Sequence, residues 1–228
     1  MRHVTRVARA LAICQLAVGL VLSAPLSARA ASTLALDFVG ILEDAFVAEL
    51  TLGWSFSVNQ PIAVTSLGFF DDALSPFGTT GLKQDHLVSL WTAGGALLAQ
   101  TTITNASTPV ASTAADGRWL FNDITAVILA PGTYVIGALN SASTDCATCD
   151  YFRFLDKATT SSAITFIGAR SNLSGNGFPN TNDSDRNDGY FGPNFAFTPV
   201  PEPSMGILVG TMGLLGIGGA LWRRSRRR

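Results

Sequence analysis

Along residues 50–58, apolar side chains alternate with small or polar ones without a slip. Leu50, Leu52, Trp54, Phe56 and Val58 take every second position, and Thr51, Gly53, Ser55 and Ser57 lie between them. A period of two belongs to a β-strand with one buried face. Shorter runs of similar character occur at 64–70, 87–91, 97–103, 118–121, 133–139, 151–155, 164–169 and 190–197. Turn-forming clusters separate them, among them Thr92-Ala93-Gly94-Gly95 and Ala130-Pro131-Gly132. No stretch between residues 31 and 200 carries the 3.6-residue period of an amphipathic helix. Short strands in this number, with turns at these intervals, predict an all-β ectodomain: an antiparallel β-sandwich or jelly roll. A closed barrel is the alternative, because strand patterns do not fix how sheets close.

The two ends of the chain break this pattern. At the N-terminus, Arg2, Arg6 and Arg9 precede an apolar run at 10–24, and Ala28-Arg29-Ala30 has the small-x-small form of a cleavage site. This order predicts a secretory signal peptide over residues 1–30, recognised at Ala28 and Ala30. At the C-terminus, residues 205–222 form an 18-residue run without a charge, seven of them Gly or Ala. A helix of that length covers about 27 Å, close to the hydrocarbon thickness of a bilayer. Arg223, Arg224, Arg226, Arg227 and Arg228 follow it and predict a transmembrane helix with a cytoplasmic end. Gly206 and Gly210 have a spacing that permits helix pairing, although such pairs also arise by chance in glycine-rich spans.

Val200-Pro201-Glu202-Pro203-Ser204 stands immediately before the apolar run. Motif, glycine-rich span and arginine-rich end, in that order, resemble the PEP-CTERM sorting signal. The resemblance implies export by a Gram-negative bacterium that makes exopolysaccharide. It also implies passage through the inner membrane and cutting near the motif by a sorting protease of the exosortase type. Val200, Pro201, Glu202 and Pro203 would be the recognition residues. Two prolines hold the segment extended and outside the helix, as a protease cleft requires. The chain thus divides into a signal peptide (1–30), an ectodomain (31–199) and a sorting signal (200–228), the last made of motif 200–204, span 205–222 and tail 223–228.

Charge sharpens the function classes. All 16 acidic residues lie between Asp37 and Glu202, whereas only six of the 15 cationic ones do, so this part carries a net charge of −10. A surface so acidic repels nucleic acid, and nucleic acid is excluded as a partner. Residues 53–58, 64–69, 86–91, 95–99 and 129–137 resemble a bacterial module, a domain of unknown function found in secreted and surface proteins. That resemblance supports a β-sandwich and brings no catalytic residues.

Candidate chemistry is sparse. In the most polar stretch, 172–194, Asp183, Asp185, Asn187 and Asp188 place oxygen atoms close together in sequence, as calcium loops do. The match to an EF-hand is incomplete, since Asp188 stands where Gly is needed and Asn194 where a bidentate Glu is needed. The alternatives are a solvated loop with turn-capping side chains, or a carbohydrate site using Tyr190. Cys146 and Cys149 predict a short loop disulfide in an oxidising compartment, with free thiols, a redox pair or two metal ligands as alternatives. His86 reads as a lone surface histidine. Trp54, Trp91 and Trp119 lie within strand patterns and read as core, with a sugar-stacking platform as the alternative. A glycoside hydrolase would need two carboxylates; Glu43, Glu49, Asp71 and Asp72 are available, and no spacing singles out a pair.

The sequence therefore predicts a non-catalytic cell-surface or extracellular-matrix protein associated with exopolysaccharide in a biofilm, with no cofactor other than calcium. A calcium-assisted glycan-binding module is the first alternative, and a secreted glycoside hydrolase the second.

Overall fold

The structure is a computed structural model, and it describes residues 32–39, 44–45, 50–71, 81–114, 117–140, 151–152, 158–172, 174–182 and 190–201. The expected signal peptide (1–30), the apolar run at 205–222, the arginines at 223–228, Cys146, Cys149 and residues 183–189 lie outside the described residues. So do Glu43, Glu49 and Asp72. Among the described residues no helix is long and apolar enough to cross a membrane.

All described elements are strands: β1 (Thr33–Leu34), β2 (Leu36–Phe38), β3 (Asp44–Ala45), β4 (Leu50–Val58), β5 (Ile62–Asp71), β6 (His86–Thr92), β7 (Leu97–Ile103), β8 (Thr108–Ala111), β9 (Arg118–Leu129), β10 (Gly132–Asn140), β11 (Tyr151–Phe152), β12 (Ala158–Thr160), β13 (Ile164–Asn172), β14 (Thr181–Asn182) and β15 (Pro193–Pro199). They form a five-stranded sheet in the order β1-β15-β5-β9-β8 and a six-stranded sheet in the order β14-β13-β4-β10-β6-β7. Two further pairs, β11-β3 and β12-β2, stand apart. Every pairing is antiparallel. Each large sheet has two ends, so the strands form a sandwich-like pair of sheets and not a single closed barrel.

One core joins the two sheets. The apolar positions read from 50–58 supply Leu52, Trp54, Phe56 and Val58, each no more than 2% exposed. Opposite them stand Phe195 and Phe197 of β15 and Leu67 and Phe69 of β5, all buried. Trp54 stacks at 6.2 Å on Phe195, and its indole N–H donates to the Pro193 carbonyl at 2.9 Å. At the other end Phe38, Phe70 and Trp119 pack in edge and stacked geometries at 4.9–5.2 Å. Such pairs each contribute about 0.5–1.5 kcal/mol beyond their buried area.

The alternating residues of β4 depart from a half-exposed strand. Thr51 and Ser55, on the polar face, are 1% and 5% exposed. The Ser55 hydroxyl donates to the Gly168 carbonyl of β13, and Thr51 is covered by the chain after β13, which folds back over the outer face of the six-stranded sheet. The Thr51 hydroxyl donates to the Gly175 carbonyl and accepts from the Gly177 N–H. Pro179 rests against Gly137 of β10, and Phe178 meets Trp91 of β6 edge-on at 5.9 Å. Residues 174–182 therefore form a strap across three strands. Gly53 and Gly137 face each other in register beneath it. A Cβ at Gly53 would lie 1.9 Å from the Ile136 carbonyl oxygen, so this close approach needs glycine.

The terminal strands complete the fold. β1 pairs with β15, and Asn194 clamps the Leu36 backbone by accepting from its N–H at 3.2 Å and donating to its carbonyl at 2.7 Å. Among the described residues the core runs from Ala35 to Phe197.

Candidate functional site

The residues singled out from the sequence separate into those the fold absorbs and those it leaves outside. His86 is the clearest correction. It is fully buried, stacked on Phe69 at 3.8 Å, with Nδ1 at 3.2 Å from the Leu139 carbonyl. Its place in the strand pattern, two residues before Val88 and four before Leu90, puts it on the core face. Trp54 and Trp119 are buried, and Trp91 lies under Phe178, so no exposed tryptophan platform exists among the described residues. Tyr190 is 9% exposed and belongs to the core, away from the carbohydrate role. Asn194, at the position of the missing calcium-loop glutamate, is spent on the Leu36 backbone.

Asp71 is fully buried, and its Oδ2 accepts from Arg118 Nε at 3.0 Å across β5 and β9. That engagement is structural. Asp183, Asp185, Asn187 and Asp188 lie outside the described residues, as do Cys146, Cys149, Ala28, Ala30, Glu202 and Pro203. Among the described residues no three His, Cys, Asp or Glu side chains gather as a metal site would require. Val200 and Pro201 are described. The Val200 N–H donates to the Pro61 carbonyl at 3.1 Å, and Pro201 is exposed.

Two features were not singled out from the sequence. The first is Asp37 on β2. Its Oδ1 accepts from Trp119 Nε1 at 2.8 Å, from the Phe38 N–H at 2.9 Å and from the Ser112 hydroxyl. Oδ2 accepts from the Thr113 N–H and from its hydroxyl, both at 3.0 Å, although that hydroxyl's single proton is shared with the Phe38 carbonyl. Burial pushes the carboxyl's pKa up. The hydrogen bonds from Ser112, Trp119, Thr113 and Phe38 together outweigh burial and hold the pKa below the ordinary value. Asp37 thus ties the first strands to β9, and its partners lie some 75 to 82 residues away in the chain.

The second feature is a cleft of about 410 Å³ between β7 and β9, lined by residues 98–101 and 123–127. Its shape follows from the strand order. β7 ends the six-stranded sheet, and β8 pairs only with the first part of β9, residues 118–121. Beyond that point β9 carries extra residues relative to β5, since Val64 pairs with Val127 but Ser66 with Asp123. The edges meet where Asn122 Nδ2 donates to the Thr102 carbonyl at 2.7 Å, and the cleft opens from there. Ile124 and Val127 give it a half-buried apolar wall, and Gln100, Thr101, Asp123 and Thr125 give polar groups. Among the described residues no aromatic ring lines it.

Comparison with known proteins adds one finding. A family model described as a domain of unknown function, DUF4082, matches residues 42–191, which covers the strands from β3 to β14. No curated protein and no solved structure matches the chain. The chain belongs to the DUF4082 family, an all-β domain in which β1, β2 and β15, lying outside the match, complete the sheets.

Proposed function

We propose that this DUF4082 protein is an exported, non-catalytic component of the cell surface or extracellular matrix, associated with exopolysaccharide and sorted through its C-terminal PEP-CTERM segment. One observation carries the reading: the last strand ends at Pro199, and the Val-Pro-Glu-Pro motif begins at the next residue. The Val200 N–H is still tied to the Pro61 carbonyl, and Pro201, the next motif residue, is exposed as a protease would require. The −10 charge between Asp37 and Glu202 supports solubility outside the cell. The buried polar side chains of Asp71 and His86, and the part-buried one of Asp37, are engaged in packing and hydrogen bonds between strands.

The test is sorting. In a Gram-negative host that carries a sorting protease, Glu202→Ala with Pro203→Ala leaves the chain in the inner membrane at unprocessed mass. Wild-type chain leaves that membrane or loses its tail. Identical mass and fractionation for both chains would refute the proposal.

Calcium-assisted glycan binding is the second reading. It is favoured by the position of β14, which Arg170 holds through Asn182 and which leads directly into Asp183, Asp185, Asn187 and Asp188. Residues 31–199, which contain every core position among the described residues, can be assayed against the producer's exopolysaccharide with calcium and with chelator. Saturable binding lost on chelation supports this reading, and equal binding in both conditions removes calcium from it.

A further inference from the structure

The edges of the two sheets are not alike. Among the described residues, β1 and β14 are two residues long, and β8 has four residues and contains Pro109. Short strands and proline blunt an edge against pairing with another chain. β7 has seven residues, Leu-Leu-Ala-Gln-Thr-Thr-Ile, with neither proline nor charge, and Leu97 at its start is 51% exposed. The extra residue in β7 relative to Leu90 and Trp91 falls at Leu98, which leaves Ala99 to Ile103 regular.

The direction of its backbone groups follows from one contact. Asn122 Nδ2 reaches the Thr102 carbonyl from β9, so that carbonyl points away from β6. In an antiparallel strand the N–H and C=O of one residue share a side, and that side recurs every second residue. The N–H and C=O of Gln100 therefore also point away from β6, into the cleft, and its side chain is exposed.

Charge identifies the partner. The ectodomain is strongly acidic, so most approaches of one copy to another bring like charges together. From residue 86 to residue 115, however, the chain holds no Asp, Glu, Lys or Arg, and β7 lies within this stretch. Asp123, the carboxylate at the cleft, stands next to Asn122, at the end where the two edges meet. A second copy can come edge to edge here without facing a charged strand.

We propose that β7 is a self-association edge: two copies pair their β7 strands antiparallel about Gln100, joining two six-stranded sheets into one. Ala99 and Thr101 are small, and they leave room for the Ile124 and Val127 walls of the two copies to close beneath the pair. Main-chain hydrogen bonds supply the affinity, and the lack of charge on β7 supplies the selectivity. An oligosaccharide is the poorer occupant, because among the described residues the cleft offers no ring for a sugar to stack on.

The experiment is analytical ultracentrifugation of the full chain in detergent over about a hundredfold range of concentration. Gly206→Leu and Gly210→Leu are built in, so that the small-residue spacing of the apolar segment does not contribute. Gln100→Lys places like charges across the pair, and Gln100→Pro removes an N–H that points away from β6. Both leave the β6–β7 ladder intact. The expected result is a dimer whose dissociation constant rises about tenfold or more in each variant, with unchanged circular dichroism and, at concentrations where every chain is monomeric, an unchanged melting temperature. A parent chain that stays monomeric throughout, or a dimer that both variants keep, overturns the proposal. If neither variant folds, Gln100→Cys in a chain with Cys14, Cys146 and Cys149 changed to Ser decides it: a crosslinked dimer on oxidation supports the edge, and none overturns it.

Discussion

Asp37 offers the sharpest test of how the fold is held. Asp37→Ala removes the acceptor for Trp119 Nε1, whose indole is fully buried, and for the Thr113 and Phe38 N–H groups. A buried donor left without a partner costs about 1–3 kcal/mol. The contacts to Ser112 and Thr113 are charge-assisted but reach solvent, and screening reduces them to about 1 kcal/mol together. The expected loss is about 3 kcal/mol, which lowers Tm by about 6–12 °C in a domain of this size. Asp37→Asn keeps one acceptor oxygen but turns an NH₂ toward one of the donors, so its loss is about half as large. The pH dependence has a definite sign. The folded pKa lies below the ordinary 3.8, so the unfolded chain takes up the proton first as pH falls. The Asp37 contribution is complete above about pH 5 and is lost as pH drops through 3.8 toward the folded value. Urea melts of wild type, Asp37→Ala and Asp37→Asn at pH 7 and pH 3 measure this. A loss under 1 kcal/mol at pH 7, or a gap between wild type and Asp37→Asn that does not shrink at pH 3, would refute the reasoning.

Other perturbations follow from contacts already described. Gly53→Ala forces a methyl into the Ile136 carbonyl and is expected to cost about 3 kcal/mol or more, read as a lower urea midpoint. Phe178→Ala uncovers Trp91 and is expected to cost about 1–2 kcal/mol, with a red shift and rise in tryptophan emission accessible to quencher. If Asp183, Asp185, Asn187 and Asp188 bind calcium, the ion at a hundred times its dissociation constant adds about 2.7 kcal/mol of stability. Calorimetry with calcium and with chelator reads this directly, and superimposable melts would remove the site.

How much of this was legible depends on the range of the interaction that decides it. The all-β class and the strands at 50–58, 97–103 and 164–169 were readable because alternation is local, but the period gives burial well only in β4. In the edge strand β7 only Ile103 is buried and Leu97 is 51% exposed, and in β13 the bulge at Phe166/Gly168 leaves Ile167 52% exposed. Strand β9 runs to Leu129, past the expected end at 121, because Asn122-Asp123-Ile124-Thr125 breaks the alternation where β9 bulges. Strands β1, β2 and β8 are too short to show a period. The strap reads as a solvated Asn- and Gly-rich loop. What pulls it onto the sheet is a pair of glycines and Trp91, residues distant in sequence. Asp37 had no local signal either, because its partners Ser112, Thr113 and Trp119 come from the other end of the first half of the chain.

The position of β15 has a consequence for the order in which the protein forms. It sits inside its sheet, between β1 and β5, and the Asn194 clamp joins it to Leu36 across 158 residues. A chain made from its N-terminus cannot close this sheet until residues 193–199 have emerged. Until then β1 and one edge of β5 wait without a neighbour, and contacts of such long range fold slowly. A truncation that spares the whole family match but removes 193–199 is therefore expected to leave β1 and one edge of β5 unpaired and this sheet unclosed.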